Sequence, residues 1–253
     1  MPSMKTALVT GGSSGLGAAI VKALTATHKI INWDKGVVQD GFVYGNNNFD
    51  VRVNLEDEIE IENAAKLLDE PVDVVINCAG VNHLNFLEGI RIEDWDRVMN
   101  VNVRAPWLVV KHLILAHRIG HTAGSGRGRG TVVNIISNAS HHPMTLSAAY
   151  NASKGALHIL TLQMARELMR EHALTVFGIS PNRLRGTNMS NSVDASVGYI
   201  RGKTSQQVWM EQIGDMPAGV ETDPDAVADF IAFLLSNHER HRYLHGTVIP
   251  YGA

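Results

Sequence analysis

The stretch Lys5-Thr6-Ala7-Leu8-Val9-Thr10-Gly11-Gly12-Ser13-Ser14-Gly15-Leu16-Gly17 decides how the rest of this chain is read. Ala7-Leu8-Val9 is a short apolar strand, and Ala18-Ala19-Ile20-Val21-Lys22-Ala23-Leu24 carries a helical pattern. Between them, Gly11, Gly15 and Gly17 permit positive φ and let the backbone approach a pyrophosphate closely. The helix behind the turn offers free N–H groups and a partial positive charge to an anion. Ser13, Ser14 and Leu16 complete the turn. The spacing is Gly-x-x-x-Gly-x-Gly rather than Gly-x-Gly-x-x-Gly, so a plain strand-to-helix turn stays open as an alternative at this point.

The next strand candidate, Lys29-Ile30-Ile31-Asn32-Trp33-Asp34, ends in an acid about twenty residues past the glycines, where a ribose would be bound. Asp34 can accept hydrogen bonds from the 2′- and 3′-hydroxyls and would repel a 2′-phosphate. Neither Ser13 nor Ser14 is basic, whereas Lys35 could pair with such a phosphate. The balance favours NAD over NADP.

Further along, Tyr150-Asn151-Ala152-Ser153-Lys154 places a phenol and an ammonium on one helical face. A phenol titrates near ~10. A neighbouring cation favours the phenolate and is expected to lower that value toward a usable general base. Ser137 ends the apolar run Thr131–Ile136, a buried parallel strand by its composition, and its hydroxyl can polarise a carbonyl oxygen held by the phenol. Taken alone, the pair also fits a surface tyrosine and a solvated lysine.

Taken together, these motifs resemble the short-chain dehydrogenase/reductase family in its single-domain form. Thr10–Gly17 resembles the family's cofactor turn. Asn77-Cys78-Ala79-Gly80 resembles its Asn-Asn-Ala-Gly motif, and Trp95–Asn102 the segment whose last asparagine joins the catalytic set. The resemblance implies Asn102, Ser137, Tyr150 and Lys154 as catalytic residues, with Asn102 keeping a proton-relay water near Lys154. It implies cofactor contacts at the glycine turn, Asp34, Asp50, Val51, Asn77, Ala79, Gly80, Tyr150, Lys154, Pro181 and Thr187. It also implies a substrate lid at about 186–216 and pairing of the helices near 94–117 and 150–172 into a homodimer or homotetramer. The expected substrate is a small alcohol or ketone. An NADPH-linked reductase of a 3-oxoacyl thioester, with a carrier patch from Arg183, Arg185, Arg201 and Lys203, is one alternative. A non-catalytic NAD(H) sensor of the same fold is the other. The chain departs from the family at Asn182, where glycine usually follows the proline, and at Gly186, which sets Thr187 one residue late. The ending Val248–Ala253 also differs from the usual Val-Asp-Gly-Gly.

Alternating strand and helix signals predict an α/β fold, a Rossmann-like doubly wound parallel sheet of about seven strands with helices on both faces. Further strands are expected near 49–51, 72–76, 131–136, 174–179 and 247–249. Helices are expected near 57–69, 94–117, 150–172 and 224–236, the last capped by Thr222-Asp223-Pro224. The 253 residues suit one such domain over the whole chain. The stretch from 34 to 50 leaves little room for a full helix. A net charge of −3 implies no nucleic-acid partner, and the Arg/Gly run 121–130 reads as a solvent loop. The absence of a signal pattern or a long apolar run predicts no membrane association. One cysteine, Cys78, fits a reducing cytoplasm and a packing role. The 12 histidines include no metal-binding pattern, so no metal is expected, and His141-His142 could line the pocket mouth.

Overall fold

The computed structural model describes residues 4–36, 48–120, 130–216, 219–237 and 241–252. Seven strands form one parallel sheet in the order β3-β2-β1-β4-β5-β6-β7. They are β1 Lys5–Thr10, β2 His28–Asp34, β3 Asn48–Arg52, β4 Val74–Asn77, β5 Gly130–Ile135, β6 Leu174–Pro181 and β7 Val248–Tyr251. The chain builds outward from β1 to β3, then crosses back to lay β4 on the other side of β1. Ligands of such sheets bind where the order reverses, beyond the strands' carboxyl ends.

Residue alternation in the strands explains the two covered faces. Leu8, Val75, Val132 and Val176 point into one core, which is closed by α2 Glu58–Leu67, α4 Ala105–Leu115 and α5 Ala148–His172. Their neighbours Ala7, Val9, Val74, Val133 and Phe177 point into the other, closed by α1 Gly15–Leu24 and α8 Pro224–Leu235. Strands buried on both faces read as unbroken apolar runs, which is why they are conspicuous in the sequence. Helix starts follow their caps. Asp57 accepts from the N–H groups of Ile59 and Glu60 at the head of α2, and Asp223 does so from Asp225 ahead of Pro224.

One expectation changes. The helix expected over 94–117 is interrupted: α3 Ile92–Met99 passes through one π-helical turn, Asn100–Arg104, before α4. Pro106 has no N–H to donate to the carbonyl of Asn102 four residues back, so regular α-helical bonding cannot run through this point. The polar segment 186–216 is largely helical, forming α6 Asn188–Arg201 and α7 Ser205–Gly214. A capping box of Thr204 and Gln207 starts α7. The 34–50 connection and the 121–130 loop lie, apart from their ends, outside the described residues.

The turn from β1 to α1 depends on glycine. Gly11 has φ 73°, and a Cβ there would sit 2.8 Å from the Ala79 Cα. A Cβ on Gly17 would lie 2.1 Å from the Gly11 carbonyl oxygen. Gly17→Ala should therefore lower the urea-unfolding free energy by about 1–3 kcal/mol, the usual cost of overpacking. A midpoint equal to that of the parent protein would contradict this packing.

Candidate active site

The expected residues converge at the carboxyl edge of the sheet. At the end of β1, Thr10 Oγ1 accepts from the N–H groups of Cys78 and Ala79 at 3.1 and 3.2 Å, which ties the glycine turn to the loop after β4. Asn77 ends β4 and donates to Asn134 Oδ1 at 2.8 Å across to β5. Ser14 stands at the N-cap of α1 without capping it through its side chain. The first-turn N–H groups therefore face outward, as an anion site requires. Asp34, at the tip of β2, accepts from the N–H of Ser13 at 3.1 Å. The close-packed glycines and these donors fit a nucleotide pyrophosphate, and Asp34 fits a ribose beside it.

Across the switch point, Ser137 follows β5 and hydrogen-bonds the Tyr150 hydroxyl. Tyr150 and Lys154 lie on one face of α5 and are both buried. The Lys154 ammonium donates to the Ile135 carbonyl at 2.9 Å and lies 5.7 Å from the Tyr150 ring centroid. Asn102, fully buried, is fixed on three sides. Its Oδ1 accepts from Val81 N–H and its Nδ2 donates to Val81 O and Ser153 Oγ, each at 2.9 Å. Gly80 lies against both, since a Cβ there would be 3.5 Å from Asn102 Oδ1 and 3.7 Å from Lys154 Nζ.

The sequence of residues 5–198 matches the family described as short chain dehydrogenase. This chain belongs to the short-chain dehydrogenase family. It is 31% identical to the (3R)-3-hydroxyacyl-CoA dehydrogenase of Rattus norvegicus, over 96% of this chain and 93% of that protein. Its fold matches the 3-ketoacyl-(acyl-carrier-protein) reductase of Brucella melitensis complexed with NADH, with a TM-score of 0.80 and 24% identity over 97% of this chain and 96% of that one. It also matches the L-sorbose reductase of Gluconobacter frateurii complexed with NADPH, with a TM-score of 0.81 and 20% identity over 98% and 95%.

In this short-chain dehydrogenase the electrostatics differ from the sequence expectation. Burial pushes the Tyr150 phenol up, and the Ser137 hydrogen bond only partly opposes it. The same burial pushes the Lys154 ammonium down to about 8. Desolvation thus outweighs the help the lysine was expected to give, because the same dry setting that brings the groups together penalises both charges. Cys78, pushed up to about 12 by burial, stays a thiol, as its packing role requires.

The sheet register places two further residues expected to contact the cofactor. Asp50 lies opposite Asn32, and Val51 opposite Trp33, short of the edge where Asp34 stands. The Asp50 carboxylate is engaged by Asn32 Nδ2 at 2.8 Å. Val53, whose N–H donates to the Asp34 carbonyl, leads the chain past the edge instead, followed by Asn54 and Leu55. Pro181 ends β6, and Thr187 caps α6 with its methyl 3.7 Å from where a Gly15 side chain would begin. The one-residue delay at Gly186 therefore still brings Thr187 to the glycine turn. His141 and His142 are exposed, and His141 meets His158 edge-on at 4.7 Å. Among the described residues, no cluster of three or more His, Cys, Asp or Glu could hold a metal, and no helix is long and apolar enough to cross a membrane.

Sequence reasoning missed Asn32. Its Oδ1 accepts from the Gly12 N–H at 2.8 Å, and its Nδ2 donates to Ser13 Oγ at 3.1 Å as well as to Asp50. The signal was present: a polar residue inside an otherwise apolar buried strand must have partners.

Proposed function

We propose that this protein transfers a hydride between a nicotinamide cofactor, NAD in preference to NADP, and a secondary alcohol or ketone. The observation that carries the reading is the convergence of half-buried Ser137 with buried Tyr150, Lys154 and Asn102 beside the glycine turn. The nicotinamide, when bound, supplies or accepts the hydride. Tyr150 takes the proton from the alcohol or returns it to the ketone. Ser137 holds the same oxygen as charge develops on it. Lys154, held at its Nζ by the Ile135 carbonyl, has donors left for a ribose hydroxyl and for a water toward Asn102. The glycine turn and Thr187 hold the phosphates and carboxamide end of the cofactor. Asp34 binds the adenosine ribose and repels a 2′-phosphate.

The ion pairs of the lid weaken the carrier-protein alternative. Arg183 is paired with Asp194 and Glu221, Arg185 with Asp223, and Lys203 with Glu211. Three of the four cations suggested for a docking patch are thus engaged within the chain. The rat relative's name keeps a 3-hydroxyacyl thioester in view as a substrate, bound without such a patch. The sensor reading is disfavoured because every group that proton transfer needs is present. Exposed Trp107 and Leu115 on α4 and Ile159 on α5 suit the pairing of copies into a homodimer or homotetramer, and we place the protein in the cytoplasm.

Tyr150→Phe should preserve folding and NADH binding while lowering turnover by ~10²–10⁴-fold, the usual contribution of a general acid–base group. Near-parental turnover in this variant, on a substrate found by screening alcohols and ketones, would remove Tyr150 from the mechanism.

Cofactor preference rests on Asp34. Asp34→Ala should weaken NAD binding and narrow its advantage over NADP, measured as parallel saturation curves. A parent protein that prefers NADP severalfold would overturn the assignment.

A further inference from the structure

The basic residue closest to the end of β6 is spent in an unusual way. Arg183, whose side chain is only 10% exposed, donates through Nε to Glu221 and through a terminal nitrogen to Asp194, each at 2.6 Å. Its other terminal nitrogen donates to Gln212. Trp209 Nε1 reaches the second oxygen of Glu221 at 3.1 Å. One guanidinium therefore joins the strand end to α6 through Asp194, to α7 through Gln212, and to the segment ahead of α8 through Glu221. A planar fork with several fixed donors can do this; a lysine cannot.

Among the described residues, the large apolar side chains that α6 and α7 bury are Val197 and Val208. Their apolar contact is a small cluster of Val197 and Val208 on Leu146, with Leu84 and Val193 alongside. The location of that cluster gives the clamp its consequence. Leu146 lies four residues before Tyr150, and Leu84 four after Gly80. At its other end α6 starts at Thr187, against Gly15. One helix thus spans from the glycine turn to the segment that leads into the Tyr150 helix. Asp194, the residue that Arg183 grips, lies midway along it.

We propose that Arg183 is a positioning residue that latches the α6–α7 lid over the active site by tying both helices to the end of β6. The lid's role in substrate binding rests on the oxidoreductase reading above; the latch itself does not. Asp194 and Glu221 together carry one more negative charge than the guanidinium neutralises, and Asp194 Oδ1 is buried without a partner. Removing the guanidinium leaves the buried carboxylates of Asp194 and Glu221 without their shared cation, which favours release of α6 from the strand end.

The test uses the full-length protein and trypsin, with no substrate or cofactor. Arg201 and Lys203 flank Gly202, the joint between α6 and α7; their side chains are exposed, but the protease cleft must also take in the backbone on either side, which α6 and α7 hold while the lid is latched. Proteolysis under fast opening and closing reports the population of the open form. Arg183→Met should speed cleavage at Arg201 and Lys203 by about ten-fold or more, the equivalent of losing one charge-assisted hydrogen bond. Arg166 and Arg170 on α5 should stay protected. Arg183→Lys should recover part of the protection, and Asp194→Asn should loosen the lid with little change in shape. With a substrate that the parent turns over, Arg183→Met should raise KM more than it lowers kcat. Parental cleavage rates in both Arg183→Met and Asp194→Asn would overturn the latch. So would cleavage that spreads equally to the α5 sites, because that reports general unfolding. Absence of turnover in every protein, with the cleavage pattern as expected, would leave the latch standing and overturn the oxidoreductase reading alone.

Discussion

Burial of a lysine beside a tyrosine is the constraint on which the rest of the site depends. Lys154 is only 4% exposed, and its ammonium has one protein acceptor within reach, the Ile135 carbonyl. Water would satisfy the group better, and its affinity for the proton falls accordingly, to about 8. Tyr150 resists ionisation for the same reason. The ammonium lies 5.7 Å from the centre of the phenol ring, near enough for a charge on one group to bear on the other. An ammonium–phenolate pair and an amine–phenol pair differ only in where one proton lies. Any added positive charge or hydroxyl donor in the cleft shifts that balance toward the phenolate. On the proposed function, ligand binding rather than the protein alone completes the base.

The scaffold that holds this pair is the parallel sheet. Thr10, Asp34, Asn77 and Pro181 all end their strands at one edge. Ser137 follows the end of β5 there, and Lys154 reaches back to that strand's last residue. The π turn brings Asn102 to the same place, braced by Val81 and Ser153. On the nucleotide side Asn32 holds Gly12 and Ser13 from within β2, so that the glycine turn keeps its shape without help from a ligand. Rigid strands and α5 carry the reacting groups, and the cover over them is left to α6 and α7.

Much of this was legible in the sequence because burial on both faces leaves apolar runs that end abruptly, and functional residues follow those ends. Tyr150 and Lys154 were legible because four-residue spacing on a helix fixes a shared face. The π turn was not, because Pro106 had to be related to a carbonyl four residues back rather than read as a helix start. The position of Asp50 within the sheet was not, because only the register of β3 against β2 shows that the strand continues to Arg52. The phenol's raised pKa was hidden for a deeper reason. Spacing reveals that a cation is near, whereas desolvation depends on everything packed around the pair. The partners of Arg183 lie 11, 29 and 38 residues away, and no local pattern announces them.

The most direct test of this account is an ultraviolet difference titration of the tyrosinate band, parent minus Tyr150→Phe, with and without saturating NAD⁺. Without the cofactor, Tyr150 should remain protonated past the ordinary phenol value of ~10. With NAD⁺ bound, the cationic ring and the ribose hydroxyl at Lys154 should bring the phenolate signal to distinctly lower pH. Identical curves in the two conditions, or a Tyr150 that already titrates as an ordinary phenol in the free protein, would contradict the claim that burial sets the base and the ligand completes it.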